Sequence, residues 1–144
     1  MGFEMDPREL TDEEVNILKA ITKWYKENRH WMHKAFFYRL DLSDKSQVGE
    51  IQVSADNDRF VSFVVQMEQS VYSSPKPVIL TGLDVNSIYK VNLITPENAA
   101  QVSRGNIALR DKEISLSGQF LMSRGVNLPC AFPGSIWVIE GHKI

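Results

Sequence analysis

Three histidines, 18 acidic side chains and a single cysteine are the groups in this chain from which most enzyme chemistry could be built. Spacing decides which of them could act together. His30 and His33 stand three apart, so on a helix both imidazoles could face one metal ion, but such a site needs a third and a fourth ligand. The only other histidine, His142, is remote in sequence. The pair therefore reads as solvent-facing imidazoles near a helix C-terminus, where positive charge is favoured. Asp56, Asn57 and Asp58 open like a calcium loop, yet the obligatory glycine and the distal Glu are missing, which leaves a hairpin turn. Paired carboxylates could hydrolyse a glycosidic bond. Glu68 and Glu140, at or just after strands, are the acids best placed for that role. The Ser-rich runs lack the Gly-x-Ser-x-Gly spacing of a nucleophile elbow. Trp24, Trp31 and Trp137 could offer broad apolar faces to a sugar. Trp24 falls on an apolar helix stripe and Trp137 inside an apolar strand, so only Trp31 is left as a surface platform. No catalytic, cofactor-binding or metal-binding residue is assigned, and no cofactor is expected.

Two periodicities would have to position these groups. From Thr11 the chain reads TDEEVNILKAITKWYKEN, and Thr11 with Glu14 has the spacing of a capping box, with Leu10 and Val15 placed as a hydrophobic staple. Val15, Ile17, Leu18, Ile21, Trp24 and Tyr25 recur at three- and four-residue steps and form one broad apolar stripe. Acids gather before Val15 and bases after it, as the helix dipole prefers. The helix signal weakens after Arg29 through HWMHKA.

From Phe36 onward short apolar runs alternate with turn residues, the pattern of strands: FFYRL, EIQVSA, RFVSFVVQM, VILTGL, SIYKVNLI, EISLS and SIWVIE. Pro75, Pro77, Pro96, Pro129 and Pro133 all fall in the intervening loops. Strands with no helices between them cannot make parallel crossovers. The expected fold is mainly β, an antiparallel β-sandwich of Greek-key type over residues 36–144, preceded by one long α-helix. Ser103-Arg104-Gly105 and Ser123-Arg124-Gly125 repeat a tripeptide, but their neighbours do not match and no true repeat follows.

At 144 residues the chain is long enough to bury a core without disulfides, and too short for a complete (β/α)8 barrel, which takes about 250 residues. A formal net charge of -2 with no basic patch argues against nucleic acid as a partner. No stretch approaches the 18 or so consecutive apolar residues of a membrane span, and MGFEMDPREL has no signal-peptide core. Cys130 cannot form an internal disulfide; beside prolines it reads as a semi-buried thiol and fits a cytoplasmic setting.

Four segments carry a family resemblance. LSGQFLMSRGVNLPCAFPGSIWVIEG, Leu116 to Gly141, resembles the C-terminal end of bacterial α-galactosidases of glycoside hydrolase family 36. LTGLDVNSIYKVNLI, Leu80 to Ile94, is similar to that family's Gly-Leu-Asp turn and Tyr strand, and VSADNDRFVSFV, Val53 to Val64, to its Asp-centred hairpin. FEMDPRELTDEE, Phe3 to Glu14, resembles the junction between the last strand and last helix of the catalytic barrel. The four stand in the family's order along nearly the whole chain.

The resemblance implies a fragment, with residues 1–35 as the remnant of a catalytic barrel and residues 36–144 as the C-terminal sandwich. The family's catalytic aspartates lie upstream, the nucleophile in a Lys-x-Asp motif that occurs nowhere in this sequence. The matching positions are Asp56, Gly82, Leu83, Tyr89, Gly118, Pro129 and Trp137, whose expected work is in turns and packing. Ala35 departs from the family's usual glycine before the first sandwich strand. The implied parent hydrolyses terminal α-galactosides such as melibiose and raffinose by a retaining mechanism, and the chain alone is expected to be inactive. Its expected partner is the rest of that barrel. The apolar helix stripe would otherwise pack back on the sandwich or drive homo-oligomerisation. The alternative is a stand-alone carbohydrate-binding or interaction module, for which Trp31, Tyr38 or Tyr72 would form an exposed row.

Overall fold

The computed structural model describes residues 6–74, 76–94, 109, 113–129 and 131–144. Contacts divide the chain into two compact units, Met1–His33 and Lys34–Ile144. In the first, a single 3-10 turn, Pro7–Glu9, leads into helix α1, Asp12–Met32. The capping box forms as its spacing requires. The Thr11 hydroxyl accepts from the Glu14 amide at 3.3 Å while the Glu14 carboxylate accepts from the Thr11 amide at 2.8 Å. Two otherwise orphaned donors are thereby satisfied.

The helix runs three residues past the point where its periodicity fades. The His33 amide donates to the Arg29 carbonyl at 3.0 Å, and the His33 imidazole and Tyr25 hydroxyl share a 2.9 Å hydrogen bond. Polar side chains thus sustain a last turn that apolar spacing alone does not announce. A barrel strand ahead of the helix would fall on residues 1–5, which lie outside the described residues, as do Cys130 and the Ser103 tripeptide.

Among the described residues the second unit contains one six-stranded antiparallel sheet: β1 Phe36–Arg39, β2 Gln47–Val53, β3 Arg59–Gln66, β4 Ile88–Leu93, β5 Ile114–Ser117 and β6 Ile136–Lys143. The spatial order is β1-β2-β3-β6-β4-β5, so the last strand enters the middle of the sheet between two strands made earlier. Alternation assigns the faces. Ile51, Val53, Phe60, Val64, Tyr89, Val91, Trp137 and Ile139 turn toward the core, each 3 % exposed or less.

The other side of that core is built from chain without a strand ladder. Val78, Leu80, Leu83, Leu121, Val126 and Leu128 fill it, supported by the short helix α2, Gly118–Ser123. VILTGL was expected as a strand, and Val78 and Leu80 are buried as one would bury them. Only Val78 pairs, in an isolated bridge to Val126. The Leu80 amide instead donates to the Leu121 carbonyl at the end of α2, and Gly82 at φ +79° turns the chain away. Helix α2 ends in a tight cap, with the amides of Arg124 and Gly125 both reaching the Phe120 carbonyl. A Cβ on Gly125, which sits at φ +70°, would lie 2.1 Å from the Val78 carbonyl oxygen. That close approach is what permits the Val78–Val126 bridge.

Removing the N-cap hydroxyl should loosen the start of α1 and leave the sheet unchanged. Thr11→Ala is expected to cost about 1 kcal/mol of local helix stability. Faster amide exchange at Glu14 and Val15, with no change in the strands, would be the signature.

Candidate functional site

One polar construction in the second unit is centred on Tyr89, whose side chain is fully buried. Strand β4 presents it to the core, where its ring meets Phe60 edge-on with centroids 5.8 Å apart. Its hydroxyl donates to the Asn57 carbonyl at 2.8 Å and accepts from the Asp84 amide at 3.1 Å. One oxygen therefore joins the β2–β3 turn to the turn before β4. Burial pushes the Tyr89 phenol above its ordinary pKa, so the hydroxyl stays protonated and able to donate.

Both turns are stiffened from within. In the first, Asn57 adopts φ 59°, a conformation asparagine tolerates, and Asp56 accepts from the Ser54 hydroxyl at 2.5 Å and the Asp58 amide at 3.1 Å. Those two bonds hold the Asp56 carboxyl below the usual carboxylate range. In the second, Asp84 accepts from the Ser87 hydroxyl at 2.6 Å and the Asn86 amide at 3.0 Å, which lowers its pKa likewise, and Lys143 approaches to 3.5 Å. Gly118 fits beneath, where a Cβ would lie 2.0 Å from the Asp84 carbonyl oxygen. At Gly141 a Cβ would meet the Phe60 ring at 2.2 Å.

A second polar network sits at the opposite end of the β2–β3 pair. Asp44, 4 % exposed, accepts from the Ser46 amide at 3.0 Å, the Ser46 hydroxyl at 2.6 Å and the Ser70 hydroxyl at 2.5 Å. The Gln66 amide group donates to the Ser46 hydroxyl at 2.8 Å and the Glu68 carbonyl at 2.6 Å, while its oxygen accepts from Gln47 at 2.9 Å. Burial works to raise the Asp44 pKa, but the hydrogen bonds, with help from Lys76, hold it below its ordinary value. This network fixes the segment that leaves β3, and no motif in the sequence announces it. Asp-x-Ser at 44–46, an Asx-type turn spacing, is the only local cue.

Within the second unit, Glu68 and Glu140 do not converge. Glu140 pairs opposite Val61 and accepts from Asn92 at 3.2 Å, whereas Glu68 lies two residues beyond Gln66. Gln66 is five strand positions from Val61, about 16 Å at 3.3 Å per residue. Catalytic carboxylate pairs stand roughly 5–9.5 Å apart. His33 is engaged by Tyr25, and among the described residues no three His, Cys, Asp or Glu side chains are grouped to hold a metal ion. Of the aromatic candidates, Tyr38 and Tyr72 are exposed at 37 % and 40 %. Trp31 is half-buried with its indole N–H on Asn28 at 3.0 Å, Tyr38 lies against Gly82, and Lys76 covers the Tyr72 ring at 4.3 Å. Trp137 is core, as its strand implied; its indole N–H has no hydrogen-bond partner.

What this arrangement can do is hold shape. Asp56, Leu83, Tyr89 and Gly118, four of the positions matched by resemblance, meet in or beside the Tyr89 junction, and their work is turns and packing. Tyr89→Phe keeps the ring and removes both hydroxyl bonds, so a loss of about 1–3 kcal/mol in denaturant unfolding is expected. Asp44 has a lowered folded pKa. Its contribution is complete above the unfolded value near 3.9 and is lost as pH falls through the folded value. Asp44→Asn should therefore lower stability at pH 7 by about 1.5–3 kcal/mol and flatten the acid limb of the stability profile.

Comparison with known proteins identifies the domain. The family model for the glycosyl hydrolase family 36 C-terminal domain matches residues 50–136. An α-galactosidase of Escherichia coli is 26 % identical over 145 residues, covering 96 % of this chain and 20 % of that protein. Probable α-galactosidase G of Aspergillus terreus is 26 % identical over 102 residues, 70 % of this chain and 14 % of its own length. The fold also matches solved structures. The galactosidase domain of the α-galactosidase–sucrose kinase AgaSK gives a TM-score of 0.79 at 20 % identity, covering 99 % of this chain and 18 % of that one. The α-galactosidase of Lactobacillus brevis gives 0.78 at 19 % identity with the same coverage. The chain thus spans a fifth or less of these relatives and is a domain of a larger protein. Its 87-residue central match makes it a member of the glycosyl hydrolase family 36 C-terminal domain family.

Proposed function

We propose that the chain is the noncatalytic C-terminal portion of an α-galactosidase and that its work is to brace the catalytic barrel. The observation that carries this reading is the asymmetry of coverage: nearly the whole chain aligns, but with only 20 % of the Escherichia coli enzyme. The absence of a Lys-x-Asp motif from the full sequence supports it. So does the separation of Glu68 from Glu140, which leaves these two acids unable to share one glycosidic bond.

The parent on this reading hydrolyses terminal α-galactosides of the melibiose and raffinose type with retention. Solved structures of the related Geobacillus stearothermophilus AgaA contain raffinose or stachyose, which supports that substrate class. Residues 1–35 belong to the barrel as its last strand and last helix. Helix α1 carries an apolar groove along Leu10, Val15, Leu18 and Thr22, edged by Lys19, Lys23 and Lys26, which would seat against the preceding barrel layer. In a chain lacking that layer the same groove is the route to self-association. A cytoplasmic location belongs to the same reading, supported by the single cysteine.

The test is to remove residues 36–144 from the longer polypeptide. The expected result is a barrel that melts earlier and loses activity in proportion to the unfolded fraction, with KM for an aryl α-galactoside unchanged in what remains. A truncated barrel with full activity and an unchanged melting temperature would overturn the bracing role.

A further inference from the structure

The outer face of the sheet changes character toward its β1 edge. Alternation puts Phe37 and Arg39 of β1, Glu50 and Gln52 of β2 and Phe63 of β3 on the side away from the core. Phe37 stands opposite Gln52, and Arg39 opposite Glu50, with Phe63 beyond Glu50 in the same row. Opposed side chains start about 5 Å apart, and Phe37 and Arg39, two positions apart on one strand, about 6–7 Å. Because β1 is the outermost strand, no further strand flanks Phe37, and it is 59 % exposed. An aromatic ring is thus set at the rim of a polar stretch.

The polar groups beside that ring are uncommitted. Among the described residues, the Arg39 guanidinium, the Glu50 carboxylate and the Gln52 side-chain amide make no hydrogen bond or ion pair within the protein, although Arg39 and Glu50 face each other across the ladder. The face runs on into a cleft of about 360 Å³ at the β1–β2 connection, lined by Arg39, Asp41, Lys45, Gln47 and Val48. There Lys45 pairs with Asp41 at 3.0 Å. Two cations, Arg39 and Lys45, balance two anions, Asp41 and Glu50, so the surface favours a neutral ligand over an ion. Arg39 can only donate, Glu50 can only accept and Gln52 does both, which together match hydroxyl groups. The apolar C–H face of a sugar ring suits an exposed aromatic ring. A protein partner of ordinary stability would need about 20–30 residues on each side, far more than this edge offers.

We propose that the outer face of β1 and β2, from Phe37 to the cleft at Arg39 and Asp41, is an accessory binding site for a neutral oligosaccharide carrying galactosyl units. Phe37 takes one sugar ring on its face. Arg39, Glu50 and Gln52 bond the hydroxyls of that ring and of its neighbour, and the cleft, within the roughly 300–1,000 Å³ of small-molecule sites, receives the next unit. Recognition of a neutral sugar rests on these side chains alone. The galactosyl units rest on the reading that the chain is part of an α-galactosidase.

Titration of the isotopically labelled 144-residue chain with stachyose, followed by amide chemical shifts, reads the site directly. The expected result is saturable shifts at Phe37, Arg39, Glu50, Gln52 and the 41–47 connection, in the millimolar range, with Tyr89 and Gly118 unmoved. Phe37→Ala changes an exposed edge position and should weaken binding about tenfold at a nearly unchanged melting temperature. Gln52→Ala keeps the ring and should weaken binding severalfold, so a readout remains if either variant fails to fold. Sodium sulfate should not compete. No saturable shift, shifts spread over the whole sheet, or folded variants that bind like the unaltered chain would overturn the site. Competition by sulfate would make it an anion site and overturn the proposal, and maltotetraose bound as tightly as stachyose would overturn the galactosyl assignment. None of these failures touches the bracing role, which is read from truncation of the longer polypeptide.

Discussion

The arrangement of the second unit depends on one strand. β6, the last in the chain, lies between β3 and β4 and hydrogen-bonds to both. Until it is in place the sheet consists of two halves, β1-β2-β3 and β4-β5, each with an open edge and an apolar face. Its ends are tied as well: the Lys143 amide donates to the Asp58 carbonyl and the Ile144 amide to the Ile88 carbonyl. Residues far apart in sequence must therefore meet before most of the core is closed, which is the topology that folds slowly and exposes strand edges on the way.

The Tyr89 junction works on the same problem from the side. Inserting β6 brings the β2–β3 turn close to the turn before β4, and one buried hydroxyl then links their backbones. Glycine is needed where backbones come this close. Gly141 makes room for Phe60 on β6 itself, and Gly118 lets α2 pass under Asp84. The polar interactions at this end are thus consequences of strand order, and nothing in them is arranged around a reacting atom.

Much of this was legible beforehand, and the exceptions have physical causes. The Thr11–Glu14 cap, the Asp56 turn and the burial of Trp137 depend on neighbours in sequence or on strand periodicity, so they could be read directly. The family pattern added the identity of the domain. The end of α1 was hidden because a tyrosine–histidine bond extends the helix past its apolar stripe. VILTGL has the composition of a strand, but its Leu80 amide is used by α2 and β6 takes the central position, so it forms a single bridge. The Asp44 network was hidden because its partners Ser46, Gln66 and Ser70 are brought together only by the fold.

On the proposed function, this domain supplies shape and leaves the chemistry to the rest of its polypeptide. That division is tested most directly by incubating the purified 144-residue chain with an aryl α-galactoside beside a mock purification. Release of the aryl group at the mock rate is expected. Turnover that exceeds the mock, follows the chain through successive purification steps and disappears when the chain is unfolded would contradict it.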